Sequence, residues 1–199
     1  MAEARTATLK RTTAETDISV SLNLDGTGKT QVSTGIGMLD HLVDQLGRHG
    51  LFDITVTAKG DVEKDPHHTT EDLGILLGRA FSEALGERKG ISRMGHAIVP
   101  LDEALSLVAI DLGGRGYAQI DLPFGGERIG ELPGSLVRHF LQSFAFEMRA
   151  SLHVKLMAGD DDHHRAEATF KALARALRDA CEIDPRRAGA VPSTKGVIG

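Results

Sequence analysis

The 199-residue sequence has one cysteine, no tryptophan and few other aromatic residues, and these shortages narrow what the chain can be. The lone Cys181 excludes an internal disulfide and any zinc site built from several cysteines. No apolar run approaches the ~20 residues of a membrane-spanning helix. The opening residues, MAEART, lack the apolar core of a secretory signal peptide. We therefore expect a cytoplasmic protein that does not enter a membrane.

Basic charge is also in short supply, with 23 basic against 28 acidic residues and a formal net charge of −5. This balance gives no reason to expect nucleic acid as a partner. No glycine-rich nucleotide fingerprint follows a predicted strand. Residues 23–27 superficially match the phosphatase pattern Asp-x-Asp-Gly-Thr, but Asn23 stands where the nucleophilic aspartate is required. Nucleotide binding and that phosphatase chemistry are thus not predicted.

A histidine pair followed by a glutamate occurs twice, as HHTTE at residues 67–71 and HHRAE at residues 163–167. Residues four apart share one face of a helix, so the first histidine and the glutamate of each copy can grip one ion. Imidazole and carboxylate are ligands of borderline divalent metals. The second histidines, His68 and His164, point elsewhere and are expected to reach the other ion. One such pair is as typical of a solvated helix N-terminus as of a metal site, but its repetition favours two related metal sites.

The hydrophobic pattern around these pairs is also duplicated. Period-two alternation predicts a strand hairpin over residues 5–24, with Glu15 at its turn, and strands over 51–58, 104–112, 117–122 and 151–158. Helical spacing predicts helices over 38–48, 67–85, 136–148 and 163–182. We therefore predict an α+β fold formed by internal duplication of a strand–strand–helix–strand–helix unit. Two small sheets and their helices would lie about a pseudo-twofold axis, with halves at 1–95 and 96–184 in one compact domain.

The duplication supplies a third ligand for each site. His41 precedes the first histidine pair by 26 positions and His139 precedes the second by 24. A lone histidine on a helix is usually a core or surface residue, but the equivalence of these two favours a shared role. Residues 185–199 have no periodicity and are by composition a flexible tail. The alternative is an anion clamp in which Ser193, Thr194 and Lys195 surround a phosphate.

Seven segments spread over nearly the whole chain match one family: RTTAET at 11–16, MLDH at 38–41, GLFD at 50–53, HHTTED at 67–72, PLDEA at 100–104, DHHRAEATFK at 162–171 and PSTKG at 192–196. Through them the sequence resembles the imidazoleglycerol-phosphate dehydratases of histidine biosynthesis. The resemblance implies a monofunctional hydro-lyase that converts D-erythro-imidazole glycerol phosphate to imidazole acetol phosphate. It also implies two manganese ions per active site and a shell of twenty-four subunits built from trimers, with active sites shared between neighbouring chains.

The resemblance also assigns residues. Its metal ligands are the eight that the repeat selects, with their division between the two ions left open: His41, His67, His68, Glu71, His139, His163, His164 and Glu167. Its catalytic carboxylates are Glu15, as general base or acid, with Glu71 and Glu167. Its substrate contacts include Glu15 and fall otherwise at Gln45, His49, Arg93, Arg115, Lys171, Ser193, Thr194 and Lys195.

The expected chemistry follows from the substrate's imidazole ring being held between two cations. A nearby cation favours loss of the ring proton, and the resulting imidazolate can expel the neighbouring hydroxyl to give a diazafulvene-like intermediate. A carboxylate base then removes the adjacent proton. Two rival functions stay open on the residues alone: a dinuclear metal hydrolase such as a phosphoesterase, and a metal-stapled assembly or storage shell without turnover.

Overall fold

The computed structural model describes residues 4–198. Met1–Glu3, which belong to the segment lacking a signal-peptide core, lie outside the described residues. Across residues 4–198, none of the helices has both the length and the apolar composition needed to cross a membrane. The first half of the chain folds as β1 (Thr6–Thr12), β2 (Thr16–Asn23), β3 (Thr30–Ser33), α1 (Gly37–Gly50), β4 (Asp53–Gly60) and α2 (His67–Leu85).

The second half repeats this order. It consists of β5 (Met94–Leu101), β6 (Ala104–Asp111), β7 (Tyr117–Asp121), a small hairpin of β8 (Arg128–Ile129) and β9 (Leu132–Pro133), α3 (Gly134–Met148), β10 (Ser151–Ala158) and α4 (Asp162–Cys181). The sheets have equivalent strand orders, β1-β2-β4-β3 and β5-β6-β10-β7. In each sheet the last strand pair is parallel and the others are antiparallel. The predicted α+β fold with two small sheets is therefore confirmed.

The burial pattern explains why these elements form where they do. On β2, Ile18, Val20 and Leu22 are buried while the intervening residues face outward, which is the alternation of a half-buried strand. On α1 the predicted apolar stripe is buried in full: Met38, Leu39, Leu42, Val43 and Leu46. Packing of such faces against the sheets creates one continuous hydrophobic core that includes residues of both halves.

Each four-stranded sheet has one more strand than the sequence predicted, because β3 and β5 were missed, and the short β8–β9 hairpin was not predicted either. β3 has only four residues, TQVS, and all of them are at least partly exposed. β5 contains Gly95 and Pro100, which are both uncommon in strands. Its edge position tolerates the proline. Gly95 is required because a Cβ there would lie 2.1 Å from the carbonyl oxygen of Ala176 on α4. The half boundary predicted after residue 95 falls within β5.

The two halves are joined by two helix pairs, each of which has one helix from each half. The helix α1 of the first half packs against α4 of the second, and α2 of the first half packs against α3 of the second. Gly78 permits the second contact, because a Cβ at this position would lie 2.5 Å from the carbonyl oxygen of Phe144. Helices that are far apart in sequence therefore run side by side, and this decides which histidines meet.

Candidate metal centres and anion pocket

The first cluster, called cluster A, joins α1 to the first turns of α4. Nε2 of His41 and Nε2 of His163 each lie 3.1 Å from Oε2 of Glu167. The other carboxylate oxygen of Glu167 is 2.7 Å from Nζ of Lys171. Burial raises the pKa of Glu167, but hydrogen bonds from Lys171 and His41 outweigh burial and lower this pKa to about 2. The carboxylate is therefore ionised over the whole neutral range.

The second cluster, called cluster B, joins the first turns of α2 to α3. Nε2 of His67 lies 3.5 Å from Oε2 of Glu71, and Nε2 of His139 lies 3.4 Å from Oε1 of the same carboxylate. Nε2 of His139 is buried and has no hydrogen-bond partner among residues 4–198. A buried ring nitrogen without a partner is costly in free energy unless a ligand satisfies it.

Both clusters have the donor set and the spacing of a divalent-metal site. Each offers two imidazole nitrogens and one carboxylate oxygen, and these atoms lie within 4.8 Å of one another. A cation held by the cluster would satisfy the unpartnered Nε2 of His139. Each cluster takes one histidine from one half of the chain and a histidine–glutamate pair from the other. The residues therefore fit a metal ion, with the ligands divided reciprocally between the halves.

The second histidine of each pair lies outside both clusters and is held by its own carboxylate. Nδ1 of His68 is 3.1 Å from Oδ1 of Asp61, and this contact raises the pKa of His68 above its ordinary value. Nδ1 of His164 is 2.8 Å from Oε2 of Glu103, which raises the pKa of His164 in the same way. Hydrogen bonds from the amide of Asp161 and from His164 lower the pKa of Glu103 to about 2.

Glu15 occupies the β1–β2 turn, as predicted, and its side chain is 51% exposed. Its Oε1 atom lies 3.6 Å from Nε2 of His68. Within residues 4–198, its carboxylate forms no hydrogen bond that meets ordinary geometry. Glu15 is thus a half-exposed carboxylate placed beside a histidine pair and free to contact a bound molecule.

The tail folds back to build a polar cavity of about 150 Å³ with two arginines. It is lined by Arg93, Arg115, Ser193, Thr194 and Lys195, together with Gly113, Val197 and Ile198. Arg93 donates to both carboxylate oxygens of Asp111 and to the carbonyl oxygen of Pro192. The structure thereby holds the tail against Arg93 and brings five predicted substrate contacts around this cavity. We call it the arginine pocket.

The remaining predicted substrate contacts lie beside cluster A. Gln45 and His49 are one turn apart on α1, with Nε2 of His49 2.9 Å from Oε1 of Gln45. Burial lowers the pKa of His49, and the nearby Lys171 charge lowers it further. Lys171 itself follows Glu167 by one turn on α4.

The arginine pocket and cluster A lie at opposite ends of the second sheet. β6 begins beside Glu103, which contacts His164, and ends at Asp111, which contacts Arg93. Eight strand residues at ~3.3 Å each separate these points by about 25 Å. The helix α4 gives the same figure: 17 residues at ~1.5 Å separate His163 from Ala180, whose carbonyl oxygen accepts from the amide of Arg93.

Sequence reasoning missed Asp61 and Glu103 as site residues. A signal for Asp61 was present, since Gly60-Asp61 aligns with Gly159-Asp160 ahead of the two histidine pairs. Glu103 lies in the PLDEA segment that carries the family resemblance. Neither position could be placed against an imidazole without knowing how the β5–β6 turn and the end of β4 fold over the helices.

Comparisons with known proteins give a consistent family. The family model described as imidazoleglycerol-phosphate dehydratase matches residues 34–177. The imidazoleglycerol-phosphate dehydratase of Dehalococcoides mccartyi is 57% identical over 194 residues, covering 98% of this chain and 97% of that protein. The crystal structure from Pyrococcus furiosus, in complex with (S)-C348, has a TM-score of 0.82 at 36% identity and covers 95% of this chain and 99% of its own. The Staphylococcus aureus structure has a TM-score of 0.82 at 30% identity, covering 90% of this chain and 99% of its own.

Proposed function

The chain belongs to the imidazoleglycerol-phosphate dehydratase family, and from this premise we propose that it dehydrates D-erythro-imidazole glycerol phosphate to imidazole acetol phosphate with two Mn²⁺ ions per active site. Family membership makes the protein a hydro-lyase of histidine biosynthesis. The metal, the residue roles and the assembly are our proposal. The observation that carries it is the pair of reciprocal clusters, in which two imidazoles and one carboxylate converge twice.

The clusters would hold the two ions. Cluster A supplies His41, His163 and Glu167 to one ion, and cluster B supplies the other ligands, His67, Glu71 and His139. Bound divalent ions supply Lewis acidity, which favours loss of the ring proton from the substrate's imidazole and orients the ring. Three protein ligands leave an octahedral Mn²⁺ with positions for substrate, water and a further histidine. His68 and His164 are the candidates for that further ligand, supplied to the ions of a neighbouring chain.

Glu15 is proposed as the general base or acid. Electron release from the imidazole ring expels the hydroxyl from the adjacent carbon and leaves a diazafulvene-like intermediate. That intermediate makes the next carbon's proton acidic, and a carboxylate can remove it. Glu15 suits this role because it is half-exposed, lies beside His68 and, among residues 4–198, has no hydrogen bond to its carboxylate. The roles of Glu71 and Glu167 are to carry negative charge to the two ions.

The separation of pocket and cluster supports a shared active site. The substrate's ring and phosphate are joined by three carbons, so they lie within about 10 Å of each other. Cluster A and the arginine pocket of one chain are about 25 Å apart along β6. One substrate molecule cannot reach both. The arginine pocket of one chain would therefore complete the metal centre of another, which is the arrangement expected of a closed symmetric oligomer, here proposed as twenty-four subunits built from trimers.

The anion chemistry fits this arrangement. Arg115 carries a planar guanidinium group that can bind two phosphate oxygens. Arg93 is held by Asp111 and Pro192 and would add its remaining N–H donors. The hydroxyls of Ser193 and Thr194 and the ammonium of Lys195 add donors around the same cavity. Gln45, His49 and Lys171 would contact the substrate nearer the ring, beside cluster A. A cytoplasmic location is proposed with this biosynthetic role.

One experiment tests the proposal. Metal-stripped protein is assayed for ketone formation from imidazole glycerol phosphate with and without Mn²⁺, and each sample is sized by light scattering. We expect turnover only with Mn²⁺, in a high-mass species. Equal turnover without Mn²⁺ would overturn the metal requirement. A metal-driven rise in mass with no turnover would instead favour the metal-stapled shell.

A further inference from the structure

His68 and His164 are each held through the ring nitrogen that faces away from a prospective ligand position. Nδ1 of His68 contacts Asp61 at 3.1 Å, and Nδ1 of His164 contacts Glu103 at 2.8 Å. A carboxylate only accepts hydrogen bonds, so the contacted Nδ1 must carry the proton. In the neutral ring the lone pair is then on Nε2. Both contacts therefore select the tautomer that can bind a metal through Nε2.

The two orienting carboxylates come from places that the duplication does not relate. Asp61 directly follows β4, and its counterpart after β10 is Asp160. Among residues 4–198, no contact joins the side chain of Asp160 to His164. The carboxylate that holds His164 is Glu103, from the β5–β6 turn. The two halves thus place a carboxylate on the same ring nitrogen by different routes.

The two hairpin turns therefore differ in whether they supply the carboxylate that contacts Nδ1. In the second half, the turn residue Glu103 is fully engaged, since it also accepts from the backbone amides of Asp160 and Asp161 at 3.2 and 2.9 Å. In the first half, Asp61 orients His68, so the turn residue Glu15 is not required for that purpose. Glu15 instead faces Nε2 of His68 from 3.6 Å. In the second turn, the carboxylate beside Nε2 of His164 is that of Asp102, at 3.9 Å.

We propose that Asp61 and Glu103 are positioning residues that fix His68 and His164 as Nε2 metal ligands, and that Asp61 thereby leaves Glu15 available for proton transfer. This inference rests on the proposed metal-dependent function. It deepens that function by naming the two residues that act through His68 and His164.

The test compares Asp61→Asn and Glu103→Gln with wild-type protein by calorimetric Mn²⁺ titration of the metal-free form. An amide at either position can donate to Nδ1 and so favours the wrong tautomer. We expect Mn²⁺ affinity to fall by about 10- to 100-fold in each variant, the size usual for loss of a residue that orients a metal ligand. The matched control is Asp65→Asn. Asp65 lies in the same loop as Asp61, and its carboxylate accepts from the backbone amide of His67 rather than from an imidazole.

Saturating Mn²⁺ separates positioning from direct catalysis. Residues that act only through a histidine should let turnover recover substantially once the site is filled, whereas Glu15→Gln should stay impaired at any Mn²⁺ concentration. Variants whose Mn²⁺ affinity equals that of wild type, or whose turnover stays lost at full metal occupancy, would overturn the inference while leaving the proposed function standing. Wild-type protein that binds no Mn²⁺ would overturn the proposed function and the inference together. Thermal unfolding of each metal-free variant checks that the fold is retained.

Discussion

His41 and Glu167 are 126 positions apart in the sequence, yet Nε2 of His41 lies 3.1 Å from Oε2 of Glu167. The contact exists because α1 of the first half packs against α4 of the second. The equivalent contact in cluster B, between His139 and Glu71, depends in the same way on α2 and α3. Neither half of the duplication contains a complete cluster, so binding of the proposed metal ions would depend on the packing of the halves.

The reciprocal clusters predict separate losses of metal. His41→Ala removes a ligand from cluster A only, and His139→Ala removes one from cluster B only. We expect each variant to retain about one of two Mn²⁺ ions per chain, because an ion that has lost one of its protein ligands is held too weakly to survive dialysis. Elemental analysis after dialysis measures the number of Mn²⁺ ions per chain. His96→Ala, on the exposed face of β5, should keep both ions. Loss of both ions from either single variant would show that the clusters are not independent.

The sequence was informative wherever ligands are close in the chain. The four-residue spacing of His67 and Glu71, and of His163 and Glu167, placed each pair on one helix face, and the structure has both pairs there. Which of His41 and His139 joins which pair depends on helix packing across the two halves. That packing follows from side-chain and glycine fit at α1–α4 and α2–α3, and no local pattern encodes it.

The arginine pocket likewise could not be predicted from a local sequence pattern. Composition described residues 185–199 as a flexible tail, because it has no apolar period. The backbone of the tail is nevertheless held, since the amide of Gly90 donates to the carbonyl oxygen of Ala190 and Arg93 donates to that of Pro192. Hydrogen bonds of this kind leave no hydrophobic signature. The family motif PSTKG, rather than any periodicity, predicted Ser193 and Lys195 as substrate contacts.

Glu15→Gln tests the acid–base role. Loss of a positioned general base usually costs about 100-fold or more in turnover. We expect such a loss with Mn²⁺ content unchanged, because Glu15 belongs to neither cluster. Turnover and metal content are measured on the same preparation. The control Glu63→Gln removes an exposed carboxylate from the loop before α2 and should leave both quantities normal. Near-normal turnover in Glu15→Gln would assign proton transfer to another group.

Gly78→Ala tests the close approach of α2 and α3. Alanine gains about 1 kcal/mol of helix propensity over glycine. The new Cβ would lie 2.5 Å from the carbonyl oxygen of Phe144 and 3.0 Å from the amide nitrogen of Met148, and backbone atoms cannot rotate away. We expect overpacking to outweigh the gain in helix propensity, with a net loss of ~1–3 kcal/mol in the free energy of unfolding.

Urea denaturation of the metal-free protein measures this free energy. In Gly125→Ala the Cβ would be 3.7 Å from its nearest neighbour, so little change is expected. A Gly78→Ala variant more stable than wild type would contradict this prediction and show that α2 and α3 can move apart at little cost.

The low pKa of Glu167 predicts a pH-dependent contribution to stability. The folded protein lowers this pKa from its ordinary value of 4.5 to about 2. A group whose pKa is depressed by folding stabilises the fold above its ordinary pKa, and this stabilisation is lost as the pH falls toward the folded value. Metal-free Glu167→Gln should therefore be less stable than wild type at pH 6, and the difference should shrink between pH 4.5 and 2. Urea denaturation across this range measures the difference. A gap that stays constant to pH 2 would contradict the assignment.

A shared active site predicts complementation between two defective chains. Arg115→Ala damages the arginine pocket, and His163→Ala damages cluster A, which lies about 25 Å away in the same chain. If each site combines the pocket of one chain with the cluster of another, a random one-to-one mixed oligomer has both parts intact in about a quarter of its sites. Co-expressed chains should then show about a quarter of wild-type turnover, whereas either variant alone is nearly inactive.

The matched control mixes Arg115→Ala with Arg93→Ala. Both changes fall in the same pocket, so every pocket is defective and no recovery is expected. Absence of recovery in the first mixture, with mixed oligomers verified by mass, would place the complete site within one chain.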